Sequence, residues 1–402
     1  MEGAGEDKGA VALATAGTSK GLEFVSNRPE ADSAPPSSAA PFRAARPPRA
    51  RRKSVLMVVC GILAAALLVV MYEMPAPYVI ELPGPAFNTL GKTHGKKLLE
   101  VSGHKTYPTT GALDMLTVGV EGGPGTRLAL GDVVQSWIDP HNSVVPEEAV
   151  YAPGSTSKQV KRQNAAEMSN SQQSAVAAAL TNLDKKYKTT LTIGGLSPDS
   201  PSRGKLKDGD VLKRIGDTPI KSLSQLKTEL NKIGKGGSVR LAVDRHGSSH
   251  SATVTPEHTK SGVQLGVFVN QKFTFPFTVK IRLQNVGGPS AGMMFALGII
   301  DTITPGPMTG GHKIAGTGTI SPDGQVGPIG GIRQKMFGAK HGGANWFLAP
   351  KSNCEEVAGH VPSDLRVVKV STLSDARHAV EAIASGKNTD ALPSCSSGKP
   401  SQ

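Results

Sequence analysis

Cysteine is nearly absent from this chain of 402 residues, which has only Cys60, Cys354 and Cys395. That leaves no zinc-finger spacing and no cysteine cage, and no His-Glu-x-x-His run offers a catalytic metal site instead. No metal or other cofactor is expected. A G-x-x-x-x-G-K-[ST] loop is also missing, so the chain offers no seat for a nucleotide-driven motor. Acid is in deficit: 45 Lys and Arg face 32 Asp and Glu, a formal charge of +13. A basic chain invites nucleic acid, but no RNA-reading aromatic motif or basic zipper accompanies the charge. The densest basic cluster, Arg43 to Lys53, sits directly before an apolar run, and the other lysines are scattered among acids. Nucleic acid is therefore not an expected partner.

The apolar run is Ser54 to Tyr72, 19 residues without a charge. About 20 apolar residues span a bilayer. A buried core helix would usually keep a polar face, and this run has none. A cleaved signal peptide would have a shorter apolar core, a shorter charged head and an A-x-A site. The expectation is an uncleaved transmembrane helix over 54–72. Arginines on its N-terminal side keep the N-terminus in the cytoplasm, so the chain beyond Tyr72 lies outside the cytoplasmic membrane. That compartment permits disulfides. Cys60 falls within the span, so the one bond available joins Cys354 to Cys395, the alternative being two free thiols.

Residues 1–53 are rich in Ala, Gly, Ser, Pro and charge, without a sustained apolar period, and are expected as a disordered cytoplasmic tail. Residues 387–402 are similarly loose. Between the span and residue 185, "PAPYVIELPGPAFNTLG" and "GALDMLTVGVEG" suggest strands, and Asn164 to Leu183 a helix rich in small residues.

Residues 186–257 read strand, turn, short strand, hairpin, helix, strand. Gly209-Asp210 and Gly216-Asp217 supply turn chemistry, and Leu223, Leu226, Leu230 and Ile233 recur at a helical period behind Ser222 as N-cap. The order, with "SPDSPSRGKLKDGDVLKRIGDTPI" and its spacing to "VRLAVDRHG", resembles a bacterial PDZ domain. The resemblance implies peptide binding by strand addition. The strand assigned to it here is Thr190, Leu191, Thr192 and Ile193, facing a helix over Ser224 to Leu230.

From Val263 the chain reads as strands and helices in alternation, and Ser290 stands in "GGPSAG" between a strand-like run and an apolar helix. A G-x-S-x-G turn also serves α/β hydrolases, and alone it is a weak signal. At a helix start, free N–H groups and the helix dipole favour an oxyanion. The hydroxyl needs a base. His341, His360 and His378 are formally available, but a hydrolase fold needs several βα units directly upstream of the serine. A lysine would need its pKa lowered by roughly three units, about 4 kcal/mol. The helix "GIRQKMFGAKHGG" offers Lys335 and Lys340 on opposite flanks of an Ile332, Met336 and Ala339 stripe, so periodicity does not choose between them. The S-x-x-K matches at Ser155 to Lys158 and Ser224 to Lys227 lack the S-D-N and K-T-G partners of penicillin-binding enzymes.

"GGPSAG" followed by "GTGTISPDGQVGPIGGIRQKMFGAKHGGANWFLAP" resembles the proteolytic domain of the Lon peptidase family. The resemblance runs from about Asn285 to Asn353. It implies Ser290 as nucleophile, Lys335 as general base and Thr317 as the lysine's hydrogen-bond partner. Two positions depart from the ATP-dependent enzymes: Gly287 stands where they carry an acid, and Thr319 where they carry Glu. The earlier strands and helix are weakly similar to the start of the same fold. The expectation is thus α+β: a Lon-type peptidase over 258–386, with a PDZ domain over 186–257 inserted in or preceding it, and residues 73–185 as an extracytoplasmic first part. The combination implies a membrane-anchored, ATP-independent serine endopeptidase acting on extended or loosened protein or peptide substrates. Lon peptidase domains commonly form rings, so a homo-oligomer is left open. The alternative is an inactive PDZ scaffold that binds peptide tails. A tail-specific protease also joins a PDZ domain to a Ser/Lys pair, but its motifs differ.

Overall fold

The computed structural model describes residues 50–93, 95–260, 262–283 and 286–395. Most of the expected N-terminal tail and residues 396–402 lie outside them. The uncharged run forms helix α1, Ala50–Glu73. Within Lys53–Glu73 an 18-residue window has a mean hydropathy of 2.8, and the helix is long and apolar enough to cross a membrane by length and composition.

After α1 the chain forms β1 (Pro75–Ala76), β2 (Tyr78–Asn88), β3 (Leu99–Ser102), β4 (Ala112–Gly122) and β5 (Leu128–Ala129). Helix α2 (Leu130–Ile138) and strand β6 (Ser143–Pro146) follow, then the long helix α3 (Ser157–Asn182). α3 starts seven residues before the sequence expectation because Thr156 and Gln159 form a capping box ahead of the small-residue run. Its C-terminal half is buried from Ala175 to Leu180, where alanines allow close approach to neighbouring helices.

The next segment builds its own sheet. β7 (Lys188–Leu196), β8 (Val211–Ile215), helix α4 (Leu223–Asn231), β9 (Val239–Arg245), β10 (Ser248–Val254) and β11 (Val267–Thr274) enclose a separate core that includes Leu191, Ile193, Leu212, Leu226, Leu241 and Val254. The strand order is β10-β9-β8-β7-β11. Asp210, fully buried, accepts from Arg245 Nε and Nη2, each at 2.7 Å, which satisfies its charge and holds it ionised by lowering its pKa. The module therefore runs to Thr274, not to 257. Its last strand returns to pair along the whole of β7, from Val267↔Leu196 to Thr274↔Lys188.

The remaining elements are β12 (Thr278–Ile281), α5 (Gly292–Ile303), β13 (Lys313–Gly316) and the hairpin of β14 (Thr319–Ile320) with β15 (Val326–Gly327). Helix α6 (Ile332–His341), β16 (Trp346–Pro350), β17 (Arg366–Val370) and α7 (Leu373–Ser385) complete them. β17, β16, β13 and β4 run parallel, and β2 and β6 close the sheet antiparallel, in the order β17-β16-β13-β4-β2-β6. Strands from both ends of the chain thus share one sheet, and the 188–274 module lies between them in sequence.

Both faces of that sheet are covered, as its parallel strands require. Met115, Ile314 and Leu348 face α3, α5 and α7. Their neighbours Leu116, Ala315, Phe347 and Ala349 face α6 on the other side. Order continues past residue 386, where the sequence suggests a loose tail. Leu392 packs on the core, Lys369 donates its N–H to Pro393, and Cys354 and Cys395 are joined as a disulfide.

Candidate active site

Ser290 lies in the turn just ahead of α5, whose N-cap is Ala291. The turn is tied down from two directions. Ser171 of α3 donates its hydroxyl to Pro289 O at 3.0 Å. The Ser290 carbonyl accepts from Gly318 N–H at 2.8 Å and from the Thr317 hydroxyl at 3.1 Å. Gly287 has a steric reason to lack a side chain: a Cβ there would lie 2.7 Å from Asn164 Cβ of α3. Any side chain at this place would force α3 to shift.

Lys335 enters from the opposite face of the sheet. Gly331, in the left-handed region at φ 64°, caps α6 and turns the chain into it. A Cβ at Gly331 would lie 2.7 Å from Val118, so the helix start packs directly on β4. The third residue after Ile332 is then carried inward. Lys335 is 3% exposed, and its Nζ reaches the Thr317 hydroxyl at 3.4 Å. Lys340, on the other flank of the same helix, pairs with Asp364 at 3.1 Å. Burial separates the two lysines where periodicity leaves them equivalent.

That burial lowers the Lys335 pKa from 10.5 to about 8, against the carboxylates of Glu81 and Glu356, which act to raise it. Glu81 in turn is pushed up by its own burial and by Glu356, while Lys335 pulls it down. Neither acid stands out from the sequence motifs. The available signal was Glu81 itself, an acid in the apolar run "YVIELPG".

Ser290 and Lys335 line one cleft of about 630 Å³, with Glu81, Val118, Gly287 and Gly330 among its other walls. Among the described residues no histidine lines it. One wall is the edge of β4. β13 ends at Gly316, opposite Met115, so from Leu116 onward that edge has no neighbouring strand among the described residues.

The residues assigned to peptide binding, Thr190 to Ile193, need a correction. They lie in β7, which is hydrogen-bonded to β8 on one side and β11 on the other. A strand with both edges filled cannot accept a third. β11 is the strand at that end of the sheet, and Val267, Phe268 and Val269 line a groove of about 300 Å³ with Leu223, Leu226 and Leu230 of α4.

Residues 284–382 match the Lon protease (S16) C-terminal proteolytic domain. The chain carries a Lon-type proteolytic domain. It is 35% identical over 91 residues to a Lon protease of Vibrio parahaemolyticus, a stretch that covers 22% of this chain and 11% of that relative. It is 38% identical over 91 residues to Lon protease 2 of Herpetosiphon aurantiacus, again 22% of this chain and 11% of the relative. The match is thus confined to about a tenth of the relatives' own length. Among solved structures, the chain is similar to the PDZ domain of the SdrC-like protein of Listeria innocua, at 18% identity and a TM-score of 0.19, covering 20% of this chain and 92% of that one. The corresponding domain from Listeria monocytogenes matches at 17% identity and a TM-score of 0.19, covering 20% and 85%. A Lon-type domain points to a serine peptidase.

Proposed function

We propose that this protein is a membrane-anchored serine endopeptidase that works without ATP, with Ser290 as nucleophile and Lys335 as general base. The observation that carries this is a buried lysine, with its pKa lowered to about 8, lining the same cleft as the serine of a Lon-type domain. A base poised near neutrality can take a hydroxyl proton without an external activator. Thr317 bridges the pair: it accepts from Lys335 Nζ and donates to the carbonyl of Ser290. It acts as a positioning residue.

In the proposed reaction Lys335 takes the Ser290 proton and Ser290 attacks a peptide carbonyl. The N–H groups of Gly292 and Met293 are committed to Pro289 O and Gly318 O. Those of Ser290 and Ala291, at the same helix start, have no backbone partner among the described residues and are the donors assigned here to the oxyanion. Lys335 then protonates the leaving amine, and water releases the acyl-enzyme. The unpaired edge of β4 beside the cleft favours a substrate in extended form, bound by strand addition. In this reading the 188–274 segment is a PDZ module inserted in the peptidase fold. Its groove between β11 and α4 recruits or gates substrates with apolar tails. Helix α1 anchors the chain, with its N-terminus in the cytoplasm and the catalytic part outside.

The test is cleavage of casein and varied peptides by the full chain in detergent, without nucleotide. Wild type should cut, while Ser290→Ala and Lys335→Ala should not. Loss of cleavage in a His341 variant with retention in Lys335→Ala would return the base to histidine. Inactivity of the wild type across substrates and detergents would favour the peptide-binding scaffold.

A further inference from the structure

Helix α2 carries an apolar stripe that the fold covers only in part. In its first turn Val133 is buried with Ala76, Ile80 and Leu128, and Leu130 packs against them. In its second turn Val134, Trp137 and Ile138 are 47%, 80% and 79% exposed. At 3.6 residues per turn, Leu130, Val133, Val134, Trp137 and Ile138 share one sector of about 140°, with Asp132, Gln135 and Ser136 opposite. Single exposed apolar residues are ordinary on a protein surface. A tryptophan and two aliphatics continuing a core stripe into solvent are not.

The position of the stripe says what covers it. Met74 is the first residue after α1, and its carbonyl accepts the Leu130 N–H at 2.8 Å. β1 pairs with β5 immediately before α2, at Pro75↔Ala129 and Ala76↔Leu128. The start of α2 is therefore fixed to the point where the chain leaves its apolar helix. Trp137 lies seven residues further, about 10 Å along the helix axis. The polar headgroup layer adds about 5 to 8 Å on each side of the hydrocarbon, so a side chain as long as tryptophan reaches it.

We infer that the second turn of α2 lies in the headgroup region of the bilayer, with Trp137 and Ile138 inserted as a second attachment beside α1. This rests on the reading of α1 as a membrane anchor. Tryptophan suits the site because its ring is apolar and its N–H prefers a wet partner. A short amphipathic helix buries its apolar face at that depth. A second copy of the chain fits less well, because three side chains fall short of the roughly 800 Å² per partner of a stable interface. α2 leads directly into β6, the edge strand of the peptidase sheet. Two attachments, α1 and α2, would fix how that sheet and its cleft face the membrane.

The chain has two tryptophans, so Trp346→Phe leaves Trp137 as the only indole. The full-length variant is reconstituted into vesicles of phosphatidylethanolamine and phosphatidylglycerol, with and without bromine on the acyl chains. Flotation of the vesicles reads the anchor, and Trp137 emission reads the inference. The expected result is a blue shift and loss of most of the Trp137 emission in brominated vesicles. If the protein floats while Trp137 emits as in water and is not quenched, the inference is overturned and the anchor stands. A blue shift without quenching that fades as protein is diluted in lipid means a second copy covers the stripe, and also overturns it. Failure to float overturns both. The difference between wild type and Trp137→Phe gives the same readout without altering Trp346.

Discussion

Replacing Lys335 by methionine should abolish proteolysis and yet make the protein more stable near neutral pH. Burial takes the lysine pKa from 10.5 to about 8. At 1.36 kcal/mol per unit, holding the charged form inside the fold costs about 3 kcal/mol. The sign follows from linkage. Below about pH 8 both folded and unfolded chains carry the proton, and the full cost is present. Between about 8 and 10.5 the unfolded chain keeps the proton while the folded one releases it, so wild-type stability rises with pH. Methionine has a similar length and no charge, and a packing mismatch should cost less than about 1.5 kcal/mol. Thr317 keeps its bond to the Ser290 carbonyl, so no buried hydroxyl is stranded. The expected gain is therefore about 2 kcal/mol at pH 6.5, falling with rising pH by about 3 kcal/mol, so that by pH 10.5 only the packing mismatch is left and the variant is no more stable than wild type. Urea unfolding of the full chain in detergent, read by tryptophan fluorescence at several pH values, measures it. A variant less stable than wild type at pH 6.5, or a difference that does not change with pH, refutes the argument that burial lowers this pKa.

The same lysine sets the pH profile: kcat/KM on a short peptide should rise with pH and level off above about 8. Glu81→Gln removes the largest influence raising the Lys335 pKa, so the rising limb should move to lower pH; a shift upward, or none, would show that Glu81 does not act on the base. Leu223→Lys in the groove between β11 and α4 should weaken binding of a peptide with an apolar C-terminus by about tenfold, by fluorescence anisotropy, and leave cleavage of short peptides intact. Cys354→Ser with Cys395→Ser opens a loop of 41 residues, which should cost about 4 kcal/mol of stability in urea unfolding.

Much of the site was legible because its parts are local. "GGPSAG" announces a turn before an apolar helix, and the chain makes that turn. "GGIRQK" contains its own helix start, with Gly331 left-handed ahead of Ile332. What stayed open depends on partners far away in sequence. Lys335 is buried under strands β2 and β4, more than 200 residues earlier, so no wheel drawn on α6 could separate it from Lys340. The strand content of "GVQLGVFV" was equally plain, but not that it returns to pair with β7 and fills the edge assigned to Thr190 to Ile193. Alternation tells a strand which face is buried and says nothing about its neighbour.

Gly287 shows how the distant parts are tied to the site. A turn with an acid at this place could use that carboxylate to fix its shape or to bind substrate. Here the space belongs to α3. Asn164 accepts the Gly288 N–H through its carbonyl at 3.3 Å, and Ser171, two turns further along, holds Pro289 at 3.0 Å. Two hydrogen bonds from one helix thus hold the serine turn from outside. α3 comes from the segment before the 188–274 module, and the turn comes from the segment after it. The module therefore bridges two halves of a single site, and its own ends, Lys188 and Thr274, are paired with each other at the close of β7 and β11. That pairing lets an insertion of this size leave α3 and the serine turn in register, because the module leaves the fold next to where it entered.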